Sequence, residues 1–426
     1  MKKASIISIG NELLNGQTIS TNAAYLSERL LSIGIPVVSS YTIGDDVDSI
    51  ARVLRLASDD GDIIVASGGL GPTDDDVTRQ AFAKFLGSEL QLQDELLERI
   101  ESFFANQDLV MPEKTKIQAY IPVGAKALLN NLGTAPGIMA EYKGKLFLAL
   151  PGVPAEMKEM FEEQVLPKLT PTSSCRKTGV GDQAIVTRKL RCFGTGESAV
   201  AELIGDVMKR GRNPLINCTA KHGVITLHIV ATAKDKNTAE RMAEEDEKML
   251  RKCLGELVYG VGEQTLAEVV GQKLARQKKT IAVAESCTGG VLAKLITDVA
   301  GASRYFTHGW VTYSDQAKTG ELGVPADLIE RYGAVSEGVA EAMAVGARKK
   351  AKTDFAIGIT GIAGPPRLLV ADKRGGRSEQ KPVGLVYISV DADKHSETKR
   401  FIFSGNRRLI RLRAALTGLN MLRLQL

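Results

Sequence analysis

Ile281-Ala282-Val283-Ala284-Glu285-Ser286-Cys287-Thr288-Gly289-Gly290 joins an apolar run of strand length to a hydroxyl, a thiol and two glycines. Val291, Leu292, Leu295 and Ile296 follow at helical spacing, so the stretch reads as strand, sharp turn, helix. That puts Ser286 at the carboxyl end of a strand, exposed at a sheet edge. The amides of Cys287 and Thr288 are then expected at the start of a helix, ready to stabilise an oxyanion. The pattern is like a nucleophile elbow without its usual first glycine. Downstream, Tyr313-Ser314-Asp315-Gln316-Ala317-Lys318 supplies a lysine. A serine hydroxyl is a poor nucleophile until its proton is taken, and a desolvated lysine with a lowered pKa can take it. Lys318 also fits a surface lysine at a helix start. Cys287 rivals Ser286, since thiolates are better nucleophiles, but a cysteine mechanism wants a histidine and only His308 is near in sequence.

The chain has 426 residues, too many for one ordinary core, so two or three domains are expected. The balance of 55 basic against 50 acidic residues is scattered, and aromatic content is 5% with one Trp, which argues against nucleic acid as a partner. Cys175, Cys192, Cys218, Cys253 and Cys287 are dispersed without zinc-type spacing and read as reduced thiols. No apolar run reaches membrane-spanning length, and Met1-Lys2-Lys3 leads straight into a strand. We expect a cytoplasmic protein with no membrane partner.

At the front, Ala4 to Ile9 and Ile63 to Ala66 read as buried strands. Helical stripes run through Ala23, Leu26, Leu30 and Leu31 and through Val47, Ile50, Leu54 and Ala57, the first capped by Thr21 or Asn22. Strand and helix alternate, which predicts a parallel sheet with helices on both faces. Ser67-Gly68-Gly69-Leu70-Gly71-Pro72-Thr73-Asp74-Asp75-Asp76 leaves a strand end and enters a helix. Glycines let backbone approach phosphate, and adjacent carboxylates call for a divalent cation between them and that phosphate. A tight turn before an acid-capped helix fits the same residues.

In the middle, Pro167 to Ser174 is turn-rich and reads as a boundary. A strand near Ala184 to Cys192, a helix near Glu197 to Lys209, a strand at Val224 to Ala231 and a charged helix at Asn237 to Cys253 make a small α+β module. No Gly-x-x-Gly loop with flanking basic residues appears, so we take this module as structural, a site of dimer contacts.

From about Thr265 to the end the chain resembles the nicotinamide-nucleotide amidohydrolase domain of the CinA (competence/damage-inducible) family. The likeness rests on Ala284 to Gly290, Phe306 to Lys318, Gly333 to Ser336, Gly358 to Pro365, Lys381 to Gly384 and Phe403 to Arg407. Residues 1 to 168 resemble the molybdopterin-binding fold found at the front of the same family, through Gly10 to Asn22, Gly44-Asp45, Gly68 to Thr78, Gly133 to Gly137 and Leu150 to Met157. The expected fold class is therefore α/β. Two three-layer α/β domains, molybdopterin-binding-like at 1–170 and amidohydrolase-like at 259–426, are joined by a small α+β KH-like domain at 171–258.

The resemblance implies hydrolysis of nicotinamide mononucleotide to nicotinate mononucleotide and ammonia, with Ser286 as nucleophile, Lys318 as base and Tyr313 in support. Cys287, Thr288 and Gly289 would face the substrate, Gly361, Ala363 and Gly364 would cradle it, and Arg407 would take the phosphate. Arg408, Arg411 and Arg413 read as solvated helix charges. No metal or organic cofactor is implied for this step. For the first domain the resemblance implies a metal-dependent ADP-ribose pyrophosphatase. Gly68, Gly69 and Thr73 would sit on the phosphates and Asp45 and Asp76 on a divalent metal such as magnesium, with Glu12 and Asp75 as weaker candidates and Asp74 as a helix cap or a solvated charge. The expected partners are these small nucleotides and a second copy in a homodimer. Rival readings are a molybdopterin-handling protein and a non-catalytic regulator of competence or the DNA damage response. The basic stretch at 366–380 departs from the family's short glycine-rich turn.

Overall fold

The computed structural model describes residues 2–169, 184–209, 211–364, 381–393 and 395–426. Residues 167–169 close the helix Leu166–Leu169, while the rest of the expected boundary, the 366–380 loop and Cys175 lie outside the described residues. The chain divides into two compact units, Met1–Val186 with Ala231–Arg241, and Thr187–Val230 with Met242–Leu426. Among the described residues no helix is long and apolar enough to cross a membrane.

In the first unit, strands β1 (Ala4–Ile9), β2 (Val37–Ile43) and β3 (Ile63–Ser67) precede a small antiparallel pair, β4 (Leu90–Leu92) and β5 (Tyr120–Pro122). Three further strands, β6 (Lys126–Leu128), β7 (Gly137–Tyr142) and β8 (Lys145–Leu150), complete a sheet in the order β2-β1-β3-β8-β7-β6. Alternation along the strands sends Ile7, Ile9, Ile64 and Ala66 to one core and Ala4, Ile6, Ile63 and Val65 to the other. Helices Val47–Asp60 and Thr78–Leu86 cover the first face, and Thr21–Ser32 and Pro154–Met160 the second. The sheet is mixed, not wholly parallel, because β7 and β6 run antiparallel to their neighbours. Apolar periodicity reports burial but not strand direction, so the sequence pattern could not show this. Ser20, rather than Thr21 or Asn22, caps the first long helix.

The second unit opens with a KH-like sheet of β9 (Ala184–Cys192), β10 (Leu215–Lys221), β11 (Val224–Ala233) and β12 (Val258–Val261), ordered β10-β11-β9-β12. β10 and β12 escaped the sequence pattern, and β12 carries this sheet past the boundary expected at 258. Its following helices are Glu197–Ile204 and Lys236–Leu254. The second helix is not charged merely for solvation: Asp246 is buried and holds Arg212 through Nη2 at 2.6 Å.

The last sheet is built from β13 (Ile281–Glu285), β14 (Phe306–Val311), β15 (Phe355–Gly361), β16 (Leu385–Ala392) and β17 (His395–Ile402), in the order β14-β13-β15-β16-β17. β14, β13 and β15 are parallel and the last two strands antiparallel. Ile281 and Val283 face a core with helices Leu266–Gln277 and Arg407–Gln425, each such side chain contributing about 1.5–3 kcal/mol by burial. Ala282 and Ala284 face the opposite core under helix Glu337–Ala351. Small residues on that face let the helix backbone come close. A Cβ on Gly358 would stand 2.4 Å from Ala340 O and 2.7 Å from Ala344 N. β13 lies between β14 and β15, so its carboxyl end is the point where the strand order reverses, the place at which open α/β sheets bind ligands.

Replacing Gly358 with Ala should push that helix off the sheet and destabilise the last domain by about 1–3 kcal/mol. Heat or urea unfolding would show this as a lowered midpoint, and an unchanged midpoint would contradict the close approach.

Candidate functional site

The carboxyl ends of β14 and β13 are level, with Glu285 paired to Val311 on one side and to Ile359 of β15 on the other. Ser286 and Thr312 therefore leave the sheet together, while β15 runs on through Thr360 to Gly361 against β16. The Ser286 amide donates to Ile359 O at 2.9 Å and the Thr312 amide to Glu285 O at 2.9 Å, which pins the turn. Ser286 is 8% exposed.

Lys318 belongs to helix Asp315–Leu322, whose N-cap Ser314 accepts from the Ala317 amide. Its side chain is 1% exposed, so it is no surface lysine. Nζ donates to Thr312 O at 3.1 Å and Tyr313 O at 3.3 Å. Burial lowers its pKa, opposed mainly by the negative charge of Asp315. A neutral amine has two N–H donors, both used here on carbonyls, and one lone pair left over. Among the described residues no hydrogen bond joins Ser286 Oγ to Lys318 Nζ. Tyr313 meets the lysine through its carbonyl only, and its exposed phenol accepts from Arg407 Nη2 at 3.1 Å.

One expectation needs correction. The helix after Ser286 begins at Val291, so Cys287 and Thr288 lie in the preceding turn. The amides at that helix start are already taken: the fully buried Glu285 carboxylate accepts from Gly290 at 2.9 Å, Leu292 at 3.1 Å and Ala293 at 2.8 Å. Any anion must use the turn amides instead. The Cys287 and Thr288 amides donate to no backbone carbonyl among the described residues. Burial pushes the Cys287 thiol up to about 12, which keeps it protonated and weakens its claim as nucleophile. The hydroxyls of Thr288 and Thr312 are buried without a hydrogen-bond partner among the described residues.

Arg411 is a second correction. It is not a solvated helix charge, because Nε and Nη2 donate to Thr288 O at 2.9 and 2.6 Å, and Nη2 reaches Gly289 O at 3.4 Å. Arg413 likewise donates to Ser404 O at 2.8 Å, whereas Arg408 is exposed. Arg407 is exposed and donates to Gly364 O at 2.5 Å through Nη1. Gly361 owes its lack of a side chain to packing, since a Cβ there would stand 2.7 Å from Leu385 O. Ala363 is buried, and Gly364 has φ +78 beside Val383.

In the first unit, Gly68 and Gly69 leave β3 with φ +117 and +66, and a Cβ on Gly68 would lie 2.1 Å from Ile9 O. Arg79, which the sequence pattern did not single out, is fully buried and fixes the loop by donating to Leu70 O and, at 3.2 Å, to Gly71 O. Desolvation lowers its pKa to about 10. Asn22 is buried and ties Ser67 Oγ at 2.9 Å to Gly152 O at 2.8 Å across the same sheet edge. Thr73 and Asp76 satisfy one another, with Asp76 Oδ2 accepting from the Thr73 amide at 2.9 Å and hydroxyl at 2.5 Å. In this arrangement the Thr73 donors are not free for a phosphate. Asp74 caps no helix and is an exposed charge, the other form its expectation took, paired with Lys114 at 3.3 Å.

Asp45 accepts from the Asn11 amide at 2.9 Å. Burial raises its pKa, with repulsion from Glu12, Asp75 and Asp76 adding to the rise. Among the described residues no group of three or more His, Cys, Asp and Glu is placed to hold a metal ion. Carboxylates that repel across a gap do fit magnesium, which takes one or two of them and fills its shell with water and phosphate oxygens. A cavity of about 410 Å³ opens beside this loop, lined by Pro72, Thr73, Asp74, Lys114 and Lys116.

Three family profiles match the chain: the probable molybdopterin binding domain over residues 5–171, the damage-inducible protein CinA KH domain over 187–260, and the CinA C-terminal domain over 263–426. A putative competence-damage inducible protein of Caldicellulosiruptor bescii is 41% identical over 99% of this chain and 98% of its own. A CinA-like protein of Dictyoglomus turgidum is 42% identical over the same shares. The crystal structure of the protein CinA with unknown function from Thermoplasma acidophilum is 38% identical, spans 38% of this chain and 94% of its own, and has a TM-score of 0.36. With likeness over its full length and all three domains matched in order, the chain belongs to the CinA family.

Proposed function

We propose that the last domain hydrolyses the carboxamide of nicotinamide mononucleotide to nicotinate mononucleotide and ammonia. The observation that carries this reading is the buried Lys318 amine, its pKa lowered by desolvation and both N–H donors of its neutral form engaged by Thr312 and Tyr313 carbonyls. Such an amine holds a lone pair ready for a proton at a pH where an exposed lysine is an ammonium ion.

Ser286 Oγ attacks the carboxamide carbon as its proton passes to Lys318. The Ser286 to Lys318 contact closes when substrate binds, as catalytic hydrogen bonds often do. The amides of Cys287 and Thr288 receive the developing oxyanion. Lys318 then gives its proton to the departing nitrogen, the carbon–nitrogen bond breaks, and ammonia leaves an ester on Ser286. Water adds to the ester and gives Lys318 a proton. Lys318 returns the proton to Ser286 Oγ as the ester breaks and nicotinate mononucleotide departs. Arg407 spends two of its five N–H groups on Gly364 and Tyr313 and offers the others to the phosphate.

For the first domain we propose pyrophosphate cleavage of ADP-ribose, supported by the Asp45 carboxyl beside the 67–76 loop, its pKa raised by burial and further by Glu12, Asp75 and Asp76. Asp45 would hold a magnesium ion, with Asp76 beside it. The ion would polarise the phosphoryl oxygens. The loop that Arg79 fixes at Leu70 and Gly71 would hold the pyrophosphate.

Ammonia release from nicotinamide mononucleotide should fall by about 10³-fold or more in Ser286→Ala, whereas Cys287→Ala should stay within a few fold of the parent. The opposite pattern would move the nucleophile to the thiol. AMP release from ADP-ribose should require a divalent cation and drop at least about tenfold in Asp45→Asn, a loss of about 1.4 kcal/mol or more, with Asp74→Asn unaffected. Equal loss in both variants, or metal-independent release, would remove Asp45 from that role.

A further inference from the structure

The KH-like sheet carries a feature that the two activities do not use. Alternation along β9, β10 and β11 turns Lys189 and Arg191, Thr219 and Lys221, and Thr226 and His228 to one face. The other face is apolar, with Leu190, Ile216, Ile225, Leu227 and Ile229 buried. A polar sheet face normally meets water. Here Leu412 and Leu416 of the C-terminal helix stand against part of it and line, with the sheet, a half-open cavity of about 300 Å³.

Among the described residues lining this cavity Glu263 is the one carboxylate, held by Lys189 at 2.6 Å and within 4.0 Å of Arg191. Arg191 is also steered by Thr226 Oγ1 at 3.2 Å and the Tyr259 hydroxyl at 3.3 Å. With Lys189 spent on Glu263, Arg191 and Lys221 are the other two cationic side chains that line the cavity. Lys221 and His222 stand at the rim, at the hairpin between β10 and β11.

We propose that this cavity binds a phosphate-bearing mononucleotide, with the phosphate on Lys221 and Arg191 and the base against Val224, Leu412 and Leu416. Cations on one wall and leucines on the other match a ligand with an anionic end and a flat apolar end. The volume lies at the small end of ligand pockets, roughly 300–1,000 Å³. A nucleic-acid strand is the poorer fit, because it needs stacking aromatics and no Phe, Tyr or Trp among the described residues lines this cavity.

Photolabelling of the full chain with 8-azido-AMP, followed by peptide mapping, tests this without reading either hydrolytic activity. Label should appear in residues 215–228 or 409–416, be displaced by AMP, and fall about tenfold in Lys221→Glu, the effect of losing about 1.4 kcal/mol of binding. Lys221 is an exposed hairpin residue, and circular dichroism of the variant reports whether the fold is kept. Arg191→Gln gives a second reading at the opposite end of the phosphate. Label confined to other peptides, or labelling of these peptides undiminished in both variants, would overturn the proposal.

Discussion

A lysine amine almost wholly withdrawn from water is the constraint on which the catalytic account depends. Charge is expensive there, and the nearest acid, Asp315, stands 3.9 Å away and is itself exposed, so it repays little. The two carbonyls at the end of β14 do what an acid would otherwise do, fixing the amine by hydrogen bonds that a neutral group can make. The fold thus suits Lys318 to the role of base proposed for it, without a histidine. It does so because β14 ends at Val311 and helix Asp315–Leu322 turns back over that end.

The partner turn is rigid for a related reason. Glu285 is buried with its carboxylate spent on three amides, which stops the helix N-terminus from acting as an anion site and leaves the 286–288 turn to do so. Arg411 clamps the Thr288 carbonyl from the other side. Lost preorganisation here would be felt at the reacting carbon, since donors aimed at developing charge are effective only when already in place.

Much of this was legible in the sequence. The alternation of Ile281, Val283 and their alanine neighbours specified a strand buried on both faces, and the glycines after Ser286 specified the turn. Lys318 could be singled out only by its place in a polar cluster after Val311 that resembles the family's motif, because β14, with Thr307, His308 and Gly309 exposed, shows no apolar run. What escaped depends on partners distant in the chain. Arg79 looks like an ordinary helix residue until the carbonyls of Leu70 and Gly71 are seen against it, and Arg411 lies 123 residues from Thr288. Thr73 and Asp76 were separate candidates for phosphate and metal because nothing local says that they bond to each other. β12 is only four residues long, and β7 and β6 read the same whichever way they run.

The two α/β domains place their candidate chemistry at corresponding edges, outside the carboxyl ends of parallel strands, yet use opposite electrostatic means. One gathers carboxylates around Asp45, and the other strips solvent from a base. The second is the central claim. Heteronuclear NMR titration of the Lys318 ε-methylene reads it directly: a lowered pKa means that the ammonium form gives way to the amine at a lower pH than in an exposed lysine. A midpoint clearly below the ordinary 10.5 agrees with the account, and a midpoint at or above it would contradict it.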